Sequence, residues 1–228
     1  MAEVDYARYL RQQDLLPVDS LPKDVVVIGV GGLGSHTSER LAKMGCPNLV
    51  LYDPDVVEAH NLGSQAFLND AVGKPKVEAM KELLSLVAEC NVETKQVKFD
   101  GNINPGSVVL CLPDSMETRL QVWNDYVKLN PMVPLYIEAR MAGLFGFIYC
   151  FNPCDPKAIE AYEKTLFSDD TAEELPCTAR GVDFNCCGLS STIAAAVAAF
   201  ALKNPFPFEM VIDYSNFSLN SRFLDEKE

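Results

Sequence analysis

The chain has 228 residues, of which 48% are hydrophobic and 22% charged. At about 150 residues per domain, this length allows one large domain with a small appendage and excludes a multidomain assembly. Its 32 acidic and 19 basic side chains give a net charge of −13, which argues against broad electrostatic binding to nucleic acid or anionic lipid. A small anionic ligand at one local site stays compatible with this charge.

The predicted elements alternate between strands and helices. Residues 1–23 predict an N-terminal arm with a short helix, and residues 24–228 a single domain. Apolar β-branched runs predict strands, and apolar residues at spacings of three and four predict helices. The predicted strands are 23–29, 48–52, 91–99, 107–112, 133–137 and 145–151, and the predicted helices are 35–44, 73–87 and 115–128. This alternation predicts an α/β fold with a Rossmann-like, mostly parallel sheet flanked by helices.

The pattern changes after Asn152. Residues 155–174 contain seven acidic residues and two lysines, which predicts a solvated helix and loop, and we expect 152–176 to form a mobile acidic crossover loop. Residues 188–202 are small and apolar nearly all round, which predicts a buried helix, packed on the domain or on a second subunit. Residues 209–224 predict two short strands. The helix and these antiparallel strands form the predicted C-terminal extension.

The eight cysteines contain no Cys-x-x-Cys pair, and no segment has the pattern of a signal peptide or a membrane span. We therefore expect a cytoplasmic protein whose cysteines are thiols. The spacings of Cys150 with Cys154 and of Cys186 with Cys187 match zinc patterns poorly, so a structural zinc is not expected. Cys186 and Cys187 lead into an apolar helix, where we expect them to be packing residues.

A glycine-rich loop follows the first predicted strand. Gly29-Val-Gly-Gly-Leu-Gly34 matches G-x-G-x-x-G between a buried strand and a helix. Glycines let backbone amides face phosphate oxygens, and the helix N-terminus adds partial positive charge. Asp53 ends the second strand, where its carboxylate can accept hydrogen bonds from ribose hydroxyls. These features predict nucleotide binding. An NAD-dependent oxidoreductase, and a glycine turn that only packs helix on strand, are the open alternatives.

Three more segments lie in order around this loop. They are Arg8-Tyr-Leu-Arg-Gln12, Asp53-Pro-Asp-Val-Val-Glu-Ala-His-Asn-Leu-Gly-Ser-Gln65 and Val72-Gly-Lys-Pro-Lys-Val77. With the loop, they resemble the R-Y-x-R-Q, glycine-loop, D-x-D-x-V-x(3)-N-L-x-R-Q and G-x-P-K-V segments of the ThiF/MoeB family. That family comprises adenylating enzymes related to the ubiquitin-activating enzymes. The resemblance runs in register from about Arg8 to about Leu202.

The resemblance implies a reaction. The C-terminal carboxylate of a small ubiquitin-like or sulfur-carrier protein ending in Gly-Gly would attack the α-phosphate of ATP, giving an acyl-adenylate and pyrophosphate. Bringing a carboxylate to a triphosphate requires cations and magnesium. The nucleotide-binding residues implied by the resemblance are Gly29, Gly31, Gly32, Gly34, Asp53, Asp55, Gln65 and Lys76.

Four side chains have implied catalytic roles in this adenylation. Lys76 would be the phosphate-side cation, and Arg11 would reach phosphate across a homodimer interface. Asn61 would support the transition state by hydrogen bonding, and Asp114, after a predicted strand, would hold magnesium. The structural alternatives are a solvated lysine, a surface arginine on a loose arm, a turn asparagine and a helix N-cap aspartate.

A second chemical step is implied by Cys177. Pro176-Cys-Thr-Ala-Arg180 resembles the setting of the thioester or sulfur-handling cysteine of the superfamily, and an inert loop cysteine is the alternative.

His36 and His60 flank the implied site without the spacing of a metal site, and His60 is a candidate nucleotide contact. The acidic residues before Cys177 suggest a basic face on a carrier protein as partner; nucleic acid and membrane partners are not expected.

Ser64 departs from the family pattern, which has arginine at this position. A charge-assisted contact contributes about 1.5–3 kcal/mol, so its loss matters at a triphosphate. Either another arginine takes its place, with Arg119 and Arg140 as candidates, or the chain is a catalytically weakened scaffold.

Overall fold

The computed structural model describes residues 6–167 and 181–224. The strands are β1 (Asp24–Ile28), β2 (Asn48–Tyr52), β3 (Asn91–Lys95), β4 (Val108–Cys111), β5 (Leu135–Ala142), β6 (Phe145–Phe151), β7 (Glu209–Asp213) and β8 (Ser218–Arg222). The helices are α1 (Gly32–Met44), α2 (Lys76–Val87), α3 (Met116–Val122), α4 (Pro156–Glu163) and α5 (Asp183–Ala201).

All eight strands form one sheet in the order β3-β2-β1-β4-β5-β6-β7-β8. The five strands from β3 to β5 pair in parallel, and the pairs β5–β6, β6–β7 and β7–β8 are antiparallel. The winding reverses between β1 and β4, because the chain runs outward to β3 and then returns to the other side of β1. Ligands of open α/β sheets bind at such a reversal, beyond the carboxyl ends of the strands. The predicted Rossmann-like α/β fold is confirmed.

The sheet is covered on both faces, and β1 shows why its sequence is continuously apolar. Val25 and Val27 point into the core that contains α1, α2 and α5, whereas Val26 and Ile28 point into the core on the α3 and α4 side. Successive strand residues face opposite sides, so a central strand covered on both faces must be apolar throughout.

The second core is aromatic and surrounds Trp123. This residue begins a π-helical turn, Trp123–Val127, which continues α3 over most of the helix predicted at 115–128. Its ring is fully buried and packs against Tyr136, Phe151 and Tyr162, at centroid distances of 5.6, 5.7 and 4.9 Å. Its indole Nε1 donates to Glu163 Oε1 at 3.1 Å.

The acidic segment predicted as a crossover loop contains a docked helix. Asp155 caps α4 by accepting from the amide of Lys157 at 2.9 Å, and Tyr162 on α4 is fully buried. The charge density predicted a solvated helix, but this helix is docked because two apolar residues on one face anchor it: Ala158 is buried with Tyr162. Positions 168–176 lie outside the described residues.

Helix α5 begins at Asp183, five residues before the predicted start. By length and composition alone it meets the requirements for a membrane span, a test that core helices also pass. Leu189, Ile193 and Val197 on α5 are fully buried in the first core. The remaining side of the helix is partly exposed.

Candidate active site

The glycine loop brings α1 close to the ends of β1 and β4. Gly29 has a φ of +87°, and a Cβ there would lie 2.8 Å from the carbonyl oxygen of Leu112. A Cβ on Gly34 would lie 1.8 Å from the carbonyl oxygen of Gly29, so α1 can pack here only without a side chain. At Gly31, by contrast, a Cβ would meet nothing within 4 Å. The loop is therefore tightly packed behind and open in front, at the N-terminus of a helix, where anions bind.

Asp53 ties the end of β2 to this loop. Its Oδ2 accepts from the amide of Val30 at 2.7 Å, and its Oδ1 accepts from the amide of Asp55 at 2.9 Å. The residue is 5% exposed, and burial raises the pKa of its carboxyl, opposed by Lys76 and by the two backbone hydrogen bonds. Each carboxylate oxygen has a second lone pair, so the predicted ribose contact stays compatible with this geometry. Anchoring the loop is a further role that the sequence did not indicate.

Lys76 begins α2 and lies beside Asp53. Its Nζ is 2.8 Å from Asp55 Oδ2 and 3.9 Å from Asp53 Oδ1, and the residue is 8% exposed. The two chain segments are held together by backbone hydrogen bonds, from Lys76 to the carbonyl of Asp55 at 2.9 Å and from Val57 to that of Lys74 at 2.8 Å. Lys76 is therefore a buried, ion-paired cation and not a solvated helix lysine.

Asn61 and Gln65 lie on a turn packed against α1. The 3-10 helix Ala59–Gly63 contains Asn61, whose Oδ1 accepts from the amide of Glu58 at 2.9 Å. The amide of Ala66 donates to Ser35 Oγ at 3.1 Å and fixes the turn to the start of α1. Gln65 Oε1 is buried without a hydrogen-bond partner among the described residues. Buried polar atoms are almost always paired, so this oxygen is suited to a donor on a bound ligand.

Asp114 lies at the carboxyl end of β4, across the sheet reversal from the glycine loop. It is exposed, and α3 is capped by its neighbour Ser115, whose Oγ accepts from the amide of Thr118 at 3.3 Å. The N-cap role considered for Asp114 therefore belongs to Ser115. An exposed carboxylate at this edge is a suitable oxygen ligand for magnesium.

Arg119 and Arg140, the candidate substitutes for the arginine missing at position 64, are both engaged elsewhere. Each pairs with Glu138, whose side chain is fully buried. Arg119 also donates to the carbonyl of Pro113 and, at 2.8 Å, to that of Ala139. Arg140 donates to the carbonyl of Thr165 at 2.7 Å. Neither arginine is available to a phosphate. Arg119 instead holds the backbone just before Asp114.

The remaining predicted residues are not brought into this cluster. Arg11 is exposed and makes no hydrogen bond or ion pair with another residue in the described parts of the chain, whereas Arg8 is held by the carbonyl of Val87 at 2.9 Å. His60 is exposed, 3.3 Å from Glu58. Cys177, with Pro176 and Arg180, lies outside the described residues.

Comparison with known proteins places this geometry in a family. The chain is 30% identical over 211 residues to the sulfur carrier protein ThiS adenylyltransferase of Escherichia coli (strain K12), covering 87% of this chain and 82% of that protein. It is 29% identical over 226 residues to ubiquitin-like modifier-activating enzyme 5 of Aedes aegypti, covering 86% of this chain and 54% of the relative. The chain thus spans about half the length of the latter relative.

Solved structures show the same fold. The structure of E. coli MccB with ATP matches with a TM-score of 0.72 and 20% identity over 98% of this chain and 73% of that one. PaaA matches with a TM-score of 0.75 and 17% identity over 98% of this chain and 84% of that one. The ThiF family model matches residues 18–222. Because this match spans most of the sequence, the protein belongs to the ThiF family.

Proposed function

We propose that the protein uses ATP to adenylate the C-terminal glycine carboxylate of a ubiquitin-like or sulfur-carrier protein. The observation that carries this proposal is Lys76, buried against Asp53 and Asp55 beside the open side of the glycine loop. Burying an ammonium costs free energy unless it is paired, and hydride transfer to NAD gives no reason for a cation here. Attack on a triphosphate requires one. The names of the relatives support the same chemistry.

The described residues divide the work of holding ATP. The backbone amides around Gly31 and the N-terminus of α1 would face the phosphates, and Gln65 Oε1 would accept a hydrogen bond from the nucleotide. Lys76 would exchange Asp55 for a phosphate oxygen, since the Asp55 side chain is 63% exposed and free to move away. Asp53 would keep its hydrogen bond from the amide of Val30 and so hold the glycine loop in place, while the Lys76 side chain moves only slightly.

In the adenylation step, a carboxylate oxygen of the carrier forms a bond to the α-phosphorus. The bond from that phosphorus to the β-bridging oxygen breaks, and pyrophosphate leaves with the electron pair. Asn61 would donate to the reacting oxygens, and Lys76 would offset the charge that develops between them. Magnesium held by Asp114 would screen the triphosphate charge.

Transfer to Cys177 is the proposed second step. The thiolate would attack the acyl carbon of the adenylate, forming a thioester bond and releasing AMP with the electrons of the broken acyl–oxygen bond. Seven acidic side chains lie between residues 155 and 174. Asp155 caps α4 and Glu163 binds Trp123, and the other five would face basic residues of the carrier protein. We place this chemistry in the cytoplasm, because the seven described cysteines are free thiols, which a reducing compartment preserves.

We also propose that the protein acts as a homodimer. An apolar groove of about 430 Å³ runs between α1 and α5, and its lining includes Leu16, Met44 and Ala194. A second copy of the chain would cover this groove. Leu16 lies five residues from Arg11, so the arm that carries Arg11 borders the groove. From there Arg11 would reach the phosphates of the partner subunit.

A catalytically weakened scaffold is the second candidate. It is favoured by one observation: Ser64 replaces an arginine, and both nearby candidates, Arg119 and Arg140, are bound to Glu138. This candidate predicts nucleotide binding without turnover.

Pyrophosphate exchange into ATP tests the proposal. Radiolabelled pyrophosphate should enter ATP only with magnesium and a carrier ending in Gly-Gly, and the same carriers truncated by two residues are the matched control. Asp114→Asn should raise the magnesium concentration that the exchange requires. Tight ATP binding without exchange for every carrier would establish the scaffold, and tight NAD binding without exchange would overturn the proposal in favour of an oxidoreductase.

A further inference from the structure

A cluster of three potential metal ligands joins α1 to the first turn of α5. His36 lies on the second turn of α1, and Asp183 and Cys187 lie one turn apart on α5. Their ligand atoms all lie within 4.8 Å of one another. His36 is buried, Cys187 is partly exposed and Asp183 is exposed. The cluster is thus sheltered on the side of α1 and open to solvent on the side of Asp183.

The spacing of these atoms matches that of a tetrahedral zinc site. His36 Nε2 lies 3.6 Å from Asp183 Oδ1 and 3.9 Å from Cys187 Sγ, and that sulfur lies 3.7 Å from Asp183 Oδ1. Zinc bonds of about 2.0–2.3 Å to nitrogen, oxygen and sulfur place neighbouring ligand atoms about 3.4–3.6 Å apart. A shift of about 0.3 Å or less in each pair closes the difference from ideal zinc geometry.

The surroundings of His36 match those of a metal ligand. The residue is 7% exposed, and its two ring nitrogens lie 3.6 and 3.9 Å from Cys187 Sγ. Neutral imidazole is a common zinc ligand. Ser64, which follows the turn that carries Asn61, lies close to the start of α1, since its carbonyl oxygen is 3.6 Å from the position of a Cβ on Gly32.

The charges nearby are also compatible with a divalent cation. Cys187 as thiolate and Asp183 together contribute two negative charges, and Arg40 contributes one positive charge. Arg40 donates from Nε to Ser191 Oγ at 3.0 Å and from Nη1 to the carbonyl of His36 at 2.9 Å, so its charge lies beside the cluster. One net negative charge therefore faces an incoming ion, and the ion itself would displace the thiol proton.

We propose that His36, Asp183 and Cys187 bind one zinc ion, with water as the fourth ligand. The mixed nitrogen, oxygen and sulfur donors favour zinc over magnesium or calcium. The metal would link α5 to α1, the helix that follows the glycine loop. The two helices are already close at Gly32, where a Cβ would lie 3.0 Å from Cys186 Sγ. This site does not depend on the adenylation chemistry.

Metal binding by the full chain tests the proposal directly. Protein purified in reductant without chelator should contain about one zinc ion per chain, and cobalt loading should give a thiolate charge-transfer band. Cys187→Ser should abolish that band, and Asp183→Asn should weaken zinc binding by about 100-fold, measured by competition with a chromophoric chelator. Both residues have exposed faces, so we expect unchanged circular dichroism in both variants.

Cys154→Ser is the matched control, because Cys154 is also partly exposed but lies outside the cluster. It should bind zinc as tightly as the wild type. Zinc should also raise the Tm of the wild type and of Cys154→Ser, but not of Cys187→Ser. Zinc binding by Cys187→Ser equal to that of the wild type, or a wild type without zinc at micromolar free metal, would overturn the proposal.

Discussion

The ammonium of Lys76 lies 2.8 Å from Asp55 Oδ2 and 3.9 Å from Asp53 Oδ1. The two carboxylates differ in exposure: 7% of the Asp53 side chain is exposed, against 63% of that of Asp55. One partner is thus fixed by the fold, and the other can be displaced. Such a pair keeps a cation buried and charged until a more negative ligand arrives.

Lys76→Ala should lower the rate of pyrophosphate exchange by about 10- to 150-fold, which corresponds to the loss of one charge-assisted contact. Lys74→Ala is the matched control, since Lys74 is two residues away and pairs with the exposed Glu82. Its exchange rate should stay within about twofold of the wild type. Equal losses in the two variants would contradict the assignment of Lys76.

Asp114→Asn should raise the magnesium concentration needed for half-maximal exchange by at least about tenfold, because an amide binds magnesium more weakly than a carboxylate does. The measurement is a magnesium titration of the exchange rate at saturating ATP. Asp125→Asn removes another exposed carboxylate and should leave the titration unchanged. An unaltered titration in Asp114→Asn would show that magnesium is held elsewhere.

Mixing two impaired variants tests whether Arg11 acts across a dimer interface. Arg11→Ala and Lys76→Ala should each be impaired alone, whereas subunit exchange between them should restore about a quarter of the sites. In the mixed dimer, the Arg11→Ala subunit keeps its own Lys76 and receives Arg11 from its partner. Exchange activity that stays at the level of the two separate variants would place Arg11 in its own subunit's site or outside any site.

Asp53→Asn should make stability less dependent on pH. Burial raises the pKa of Asp53 in the folded state, so its contribution to stability is full below its unfolded pKa of about 3.9 and is lost as the pH rises through its folded value. The neutral asparagine avoids this loss. The Tm of Asp53→Asn relative to the wild type should therefore increase from pH 4 to pH 7.

The loss of one hydrogen-bond acceptor in Asp53→Asn costs about 1 kcal/mol at every pH and does not affect the trend. Asp14→Asn, at an exposed position, should show no such trend. A Tm difference between Asp53→Asn and the wild type that falls as the pH rises would reverse the sign argued here.

Substitutions at two glycines of the loop should have different effects, one on ATP affinity and the other on the free energy of unfolding. Gly31→Ala should fold normally, because its Cβ meets no atom within 4 Å, but should bind ATP about tenfold more weakly by obstructing the approach of phosphate. Gly34→Ala places a Cβ 1.8 Å from the Gly29 carbonyl oxygen and should lower the free energy of unfolding by about 1–3 kcal/mol. Calorimetry and chemical denaturation measure the two effects, and the reverse pattern would contradict the loop geometry.

Much of the fold could be predicted from periodicity, since β1, β2 and β4 are apolar runs and α2 carries an apolar stripe. Asp53 became a candidate from its position at the end of β2, and Asn61 and Lys76 from the resemblance of their segments to those of the ThiF/MoeB family. The ion pairs of Lys76 with Asp53 and Asp55 were not predicted, because the segment after β2 meets the start of α2 only through a tertiary contact. Asp55 therefore appeared only as a nucleotide ligand.

Contacts between polar residues far apart in the sequence were harder to predict than the strands and helices. Glu138 interrupts the apolar run of β5, and a charge within a buried strand signals a partnered network. That signal could have found the pairing with Arg119 and Arg140. No signal of this kind links His36 to Cys187, since they are separated by 151 positions and only the packing of α1 on α5 brings them together.

The enclosure of Trp123 gives the protein a spectroscopic probe of its own. It is the single tryptophan of the chain, and rings from β5, β6 and α4 seal it from water. Its fluorescence should be blue-shifted in the native state. Because its indole hydrogen bond is to Glu163 on α4, a red shift before global unfolding would time the detachment of that helix without any added label.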